Sequence, residues 1–130
     1  MIVLDASAAV EWLLGTSTGV KIAHRILSSG ESLHAPHLLD AEVAQVLRRA
    51  ENARALSADR ARHALEDLLQ IRVQRYPHLP LMRRVWELHE NLTAYDALYV
   101  ALTEALGAAL LTCDRRIPSA PGHHARVEVI

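Results

Sequence analysis

The chain has one cysteine, one lysine and no long apolar run, and each shortage narrows what it can be. A lone thiol, Cys113, excludes an internal disulfide framework and suits a reducing compartment. With Lys21 the only lysine, arginine carries almost all the positive charge, and arginine suits bidentate phosphate contacts. No apolar stretch approaches the roughly 20 residues of a membrane helix. The opening Met1-Ile2-Val3-Leu4-Asp5 has no basic stretch and no long apolar stretch, so no secretory leader is expected. These points predict a soluble cytoplasmic protein that makes no membrane contact. There is no repeat, low-complexity tract or Pro/Gly-rich linker, and 130 residues suit a single domain spanning 1–130. Gly-rich phosphate loops and the Gly-x-Ser-x-Gly elbow are missing. The 8 histidines match no zinc spacing and read as solvent-exposed. A net charge of -1 excludes a generally basic nucleic-acid binder but not a local basic patch.

Apolar residues make up 51% of the chain, enough to exclude disorder. Their pattern alternates short apolar runs with longer helical periodicities. Ile2 to Leu4, Leu33 to Ala35, Arg72 to Tyr76, Ala109 to Thr112 and Val127 to Ile130 read as strands. Ser7 to Leu14 and Thr18 to Leu27 read as helices broken near Gly15. Pro36 is expected to open a helix through about Arg49. Ser57 caps a helix to about Ile71, with Leu65, Leu68 and Leu69 on one face. Pro80 to His89 reads as helical, and Thr93 to Leu106 as an apolar helix stopped by Gly107. The alternation predicts an α/β fold with a mainly parallel β-sheet and helices on both faces. Ligands of such sheets sit beyond the carboxyl ends of the strands, so the residues just after strands matter most.

Four acids occupy unusual places. Asp5 directly follows the first strand, and Asp114 follows Ala109 to Thr112 with only Cys113 between. Either aspartate alone could begin a turn or cap a helix. Glu42 shares its helical stripe with Leu38, Leu39 and Val46, with Gln45 beside it, whereas Asp40 faces away as an ordinary surface acid. Stabilising a helix dipole explains an early acid, but not its apolar flanks. Asp96 is the only charged residue from Leu92 to Leu102, and Tyr99 and Val100 share its face. A capping box with Thr93 is the alternative there, though such boxes prefer Glu or Gln. Clustered carboxylates repel one another and hold protons unless a cation lies between them. No lysine is near. Oxygen ligands alone select Mg²⁺ or Mn²⁺ over zinc. Ser7 and Thr112 add hydroxyls that could orient a carboxylate or a phosphate oxygen.

At these residues the chain resembles the PIN-domain family, in particular the VapC toxins of bacterial toxin–antitoxin pairs. The likeness is carried by Ile2-Val3-Leu4-Asp5-Ala6-Ser7, Leu38-Leu39-Asp40-Ala41-Glu42-Val43, Thr93-Ala94-Tyr95-Asp96-Ala97-Leu98-Tyr99-Val100-Ala101-Leu102 and Leu111-Thr112-Cys113-Asp114. It implies a parallel sheet with an acidic pocket at one edge, Mg²⁺ or Mn²⁺ as cofactor, and hydrolysis of RNA phosphodiesters. Asp5, Glu42, Asp96 and Asp114 take the acidic positions, catalytic and metal-holding, and Thr112 the hydroxyl of a Thr-x-Asp motif. Asn91 lies near a position that is often polar in the family. Arg115 and Arg116 are placed to hold flanking phosphates. A cognate antitoxin and homodimerisation are also implied, and apolar helices at Ala8 to Leu14 and Leu38 to Leu47 are expected to leave a groove for an antitoxin helix. Other classes fit less well. An aspartyl-phosphate phosphatase wants a second Asp where Ser7 stands. A receiver domain wants a late lysine. A PIN-like binding module of weak or no catalysis remains the alternative, although such modules commonly lose acids and this chain keeps four.

Overall fold

The computed structural model describes all 130 residues. Five strands form one sheet: β1 (Ile2–Leu4), β2 (Leu33–Pro36), β3 (Val73–Tyr76), β4 (Ala109–Thr112) and β5 (Arg126–Val129). Their order is β3-β2-β1-β4-β5, and every pairing is parallel. Ile2 stands level with Leu33 on one side and Ala109 on the other. All residues of β1, β2 and β4 are buried. Successive strand side chains point to opposite faces, so helices must cover both faces of these strands.

Six helices do so: α1 (Ala6–Leu14), α2 (Ser17–Ser29), α3 (Leu38–Asn52), α4 (Ala58–Gln70), α5 (Met82–Glu87) and α6 (Ala94–Leu106). Their ends follow local chemistry. Thr16, Ser57 and Thr93 each accept a backbone N–H three residues on, satisfying donors that a helix start leaves free. Gly107 ends α6 at φ 60°, a left-handed conformation that costs a residue without Cβ little. Helix α6 is the central one, packed on β1, β2 and β4, with Tyr99 fully buried.

Several expectations need correction. Pro36 does not open a helix. It is the last residue of β2, paired with Tyr76, and α3 starts at Leu38. Strands tolerate proline where its nitrogen need not donate, and here the next residue, His37, donates to the Tyr76 carbonyl. Pro80 to His89 is not one helix but a 3₁₀ turn, Leu79–Leu81, followed by the short α5. On α4 the buried face is Ala61, Ala64 and Leu68, while Leu69 points to water. Ala8, Ala9, Val10 and Leu13 of α1 and Leu39, Val43 and Leu47 of α3 are buried, and the two helices pack on each other. These buried residues form core, while Leu38, Ala41 and Val46 of α3 border an open pocket. No helix is long and apolar enough to cross a membrane.

Candidate active site

Because all strands run the same way, their carboxyl ends share one edge. The chain goes from β1 to β2 on one side and reaches β4 on the other, so the crevice lies between β1 and β4. Asp5 leaves β1 there, its backbone N–H donating to the Leu111 carbonyl at 3.1 Å. It occupies the N-cap position of α1, yet its side chain makes no capping bond. Its Oδ2 instead accepts from Ser7 Oγ at 2.7 Å and Thr112 Oγ1 at 2.6 Å. Each hydroxyl has one proton, so the 3.2 Å approach of Ser7 to Thr112 is a contact between groups already committed to Asp5. Both hydroxyls also accept, Ser7 from the Cys113 N–H and Thr112 from the Asp114 N–H. The start of α1 and the end of β4 are thus tied through one carboxylate oxygen, and Oδ1 is left without a protein donor.

A pocket of about 540 Å³ opens at this point, lined by Asp5, Glu42, Asp96 and Asp114 together. The four acids come from four separate segments, so the fold has gathered them. Glu42 reaches in from α3. Its Oε1 is buried with no hydrogen-bond partner. Burial pushes its carboxyl above the usual range; the Tyr99 hydroxyl pulls it back, and the charges of Asp5 and Asp96 push it further up. That hydroxyl lies near enough to favour the charged form but makes no hydrogen bond of ordinary geometry. Tyr99 in turn is held far above the usual phenol range, by burial first and then by Glu42.

Asp96 is raised as well, by burial and then by Asp5 and Asp114, with the Thr93 hydroxyl and Arg116 easing it. Thr93 does cap α6, accepting from the Asp96 backbone N–H at 3.2 Å. That bond uses the backbone of Asp96 and leaves its carboxylate in the pocket. Asp114 behaves differently. Arg116 grips both its oxygens, at 3.0 and 2.7 Å, and holds its carboxyl below the usual range. The Arg116 side chain is 87% exposed, so solvent screens this pair.

The structure places Asp5, Ser7, Glu42, Asp96 and Asp114 in the pocket wall, with Thr112 directly behind Asp5. Thr112 is fully buried and does not line the pocket itself. Asn91 is exposed beside Gly122 and does not line the pocket, which corrects its expected place. Arg115 is exposed, and Arg116 is engaged by Asp114. Asp40 faces away, as expected, in a two-bond pair with Arg75. The histidines are not all solvent-exposed. His34 is buried, with Ser32 and Tyr76 on its two ring nitrogens. Reading the sequence missed Arg49 and Tyr95, which also line the pocket. Arg49 was within reach, since it lies seven residues after Glu42 on the same helical stripe.

As the chain stands, no three His, Cys, Asp or Glu side chains are arranged to hold one ion. The donor set nevertheless suits a hard divalent ion. It offers only oxygens, Asp5, Glu42 and Asp96 have no basic partner, and a buried Glu42 oxygen is left unused. Mg²⁺ or Mn²⁺ would supply the missing positive charge and a partner for the Glu42 oxygen.

Fold and site together define a class: a parallel α/β protein with an acidic pocket where its strand order reverses. The PIN domain model matches residues 2–122, and the chain belongs to that family. It is 47% identical over 117 residues to a VapC ribonuclease of Mycobacterium bovis, covering 90% of this chain and 88% of the relative. It is 40% identical over 130 residues to ribonuclease VapC12 of Mycobacterium tuberculosis, covering 100% and 99%. Among solved structures, VapBC2 of Rickettsia felis bound to a promoter DNA fragment superposes with a TM-score of 0.72 at 14% identity, covering 99% of this chain and 98% of that one. VapC20 of Mycobacterium tuberculosis, a sarcin–ricin loop cleaving toxin, gives 0.69 at 18% identity, covering 97% and 99%. At those identities the structures confirm the fold.

Proposed function

We propose that this chain, acting as one domain, is a Mg²⁺- or Mn²⁺-dependent endoribonuclease and the toxin of a toxin–antitoxin pair. The observation that carries the reading is the set of Asp5, Glu42 and Asp96 in one pocket, none of them in an ion pair, with Glu42 Oε1 buried and unpartnered. Partly buried acids elsewhere in the chain, such as Glu104 and Glu128, are paired with arginines. Gathering three acids without a basic partner costs stability, which a bound cation would offset. The names of the VapC ribonucleases support the choice of RNA.

Asp5, Glu42 and Asp96 would hold the ion, with Asp114 joining them once released by Arg116. When bound, the ion supplies Lewis acidity to the water and to the phosphodiester. The chain's own groups do the rest. Ser7 and Thr112 fix the orientation of Asp5. Tyr99 and the apolar flanks keep Glu42 half-buried, where its charge is poorly solvated and its affinity for a cation is raised. Arg116, once free of Asp114, and Arg115 hold flanking phosphates. Solved relatives that pair a VapC with its VapB support a cognate antitoxin as partner. A homodimer is part of the same reading; a monomer mass by light scattering at micromolar concentration would overturn that part.

The test is cleavage of structured RNA by purified protein with Mn²⁺ or Mg²⁺, stopped by EDTA. Asp5→Asn is expected to lose at least roughly 10²-fold in rate. Undiminished cleavage in EDTA sinks the metal mechanism. Expression alone is expected to arrest growth and Asp5→Asn to relieve it. Equal arrest by both proteins would show that toxicity does not come from catalysis.

A further inference from the structure

The acidic cluster fills only part of the pocket. The remainder has a different chemistry. Helix α3 turns Leu38, Gln45, Val46 and Arg49 toward it at three- and four-residue spacing, and α6 contributes Tyr95 from its first turn, one residue before Asp96. Three of these side chains are unused by the fold. Tyr95 is 61% exposed and its hydroxyl has no hydrogen bond. Arg49 enters no ion pair, and it is the one arginine in the pocket wall. The exposed Gln45 amide has no partner.

A flat aromatic face, an amide with a donor and an acceptor, and a free guanidinium suit different parts of one ligand class. The ring stacks on a nucleobase, the amide meets a base edge, and the guanidinium takes a phosphate. A phosphate-only site would not need the ring, and an apolar ligand would not need Arg49. The pocket, about 540 Å³, lies in the range that encloses a ligand of this size. We infer that Tyr95, Gln45 and Arg49 form a subsite for one unstacked nucleotide of single-stranded RNA, beside the carboxylates that act on its phosphodiester. A base inside a duplex is stacked on its neighbours and cannot reach the ring, so the subsite takes a base that is already unstacked. The inference rests on the ribonuclease reading and adds to it which side chains hold the nucleotide beside the carboxylates.

The experiment uses two probes, a short fluorescein-labelled single-stranded RNA and an oligomer of the same backbone without bases. Binding is read by anisotropy in EDTA, and cleavage of the RNA is followed with Mn²⁺. Tyr95→Ala is expected to weaken binding of the RNA, and to raise KM, roughly ten-fold with kcat nearly unchanged. Binding of the abasic oligomer should not move. Tyr95→Trp should retain the parent's affinity, and Arg49→Ala should weaken both probes. Trp86, 69% exposed on α5 and outside the pocket, is the control for general surface stacking. If Tyr95→Ala leaves RNA binding and KM unchanged in a parent that cleaves, the subsite is wrong and the nuclease reading stands. Equal losses in Trp86→Ala and Tyr95→Ala overturn it too. A parent that neither binds nor cleaves RNA overturns both readings.

Discussion

Thr112 is a small residue with two tasks, since one hydroxyl donates to Asp5 Oδ2 and accepts from the Asp114 N–H. It is fully buried, so water cannot replace either bond if the hydroxyl is lost. Thr112→Val keeps the shape and removes both. Asp5 Oδ2 is then left with Ser7 alone, and the Asp114 N–H loses its acceptor. The expected cost is about 1–3 kcal/mol in urea unfolding, the usual penalty for a buried polar group left unmet. Cleavage should fall by about 10- to 100-fold, because Asp5 loses the group that orients it. Thr112→Ser should restore most of both. If valine proves as stable and as active as threonine, the hydroxyl does not orient Asp5.

Helices α1 and α2 meet at a point set by one missing side chain. A Cβ on Gly19 would stand 2.0 Å from the Glu11 carbonyl oxygen and 3.1 Å from the Trp12 Cα. Both are backbone atoms of α1, so relief requires the helices to part. Gly19→Ala is expected to lose at least roughly 3 kcal/mol in chemical denaturation, the upper range for overpacking. A variant within 0.5 kcal/mol of the parent, the usual scatter of surface substitutions, would show that the helices do not meet this closely. Nothing local announced Gly19, because its constraint comes from another helix. The same division runs through the fold. β1 and β4 were legible at their bounds because a fully buried strand is a bare apolar run, and the acids after them stood out against it. Glu42 and Asp96 were legible as charges inside apolar helical stripes. Pro36 misled because the same residue suits a first helical turn and a strand end, and only the pairing of β2 with β3 decides between them. His34 was read as exposed because its partner Tyr76 is 42 residues away. Leu69 shares an expected apolar face with Leu65 and Leu68, but Ala61, Ala64 and Leu68 form the buried one.

For the whole molecule, two sets of carboxylates pull stability in opposite directions with pH. Glu104, Glu128 and Asp114 are held low by their arginines, and Glu31 by the N-terminal ammonium and then Arg25. Their contribution is present above the ordinary carboxylate range and is lost as pH falls through their lowered values. Buried His34 is also held low, so it costs stability as pH falls through the ordinary histidine range. Glu42 and Asp96 have the opposite sign. Both are raised by burial and by neighbouring acids, so the folded protein binds their protons more tightly than the unfolded chain does. Their contribution is full below the ordinary carboxylate range and is lost as pH rises through the raised values, leaving a net cost at neutral pH. Comparing the parent with Asp96→Asn isolates this term, because the other groups are common to both. In EDTA the two proteins should melt together near pH 4, with the variant higher by a few degrees at pH 7, on the order of 1 kcal/mol for a half-buried acid. The Thr93 cap survives the substitution, since it is made to the backbone of residue 96. Mn²⁺ at neutral pH should then raise the parent by preferential binding to the folded state and the variant much less, so that their order reverses. An acid kept for structure alone would lower the melting temperature when removed, with or without the ion. If the variant melts lower in EDTA at every pH and neither protein responds to Mn²⁺, Asp96 belongs to the scaffold of α6 and not to a metal site.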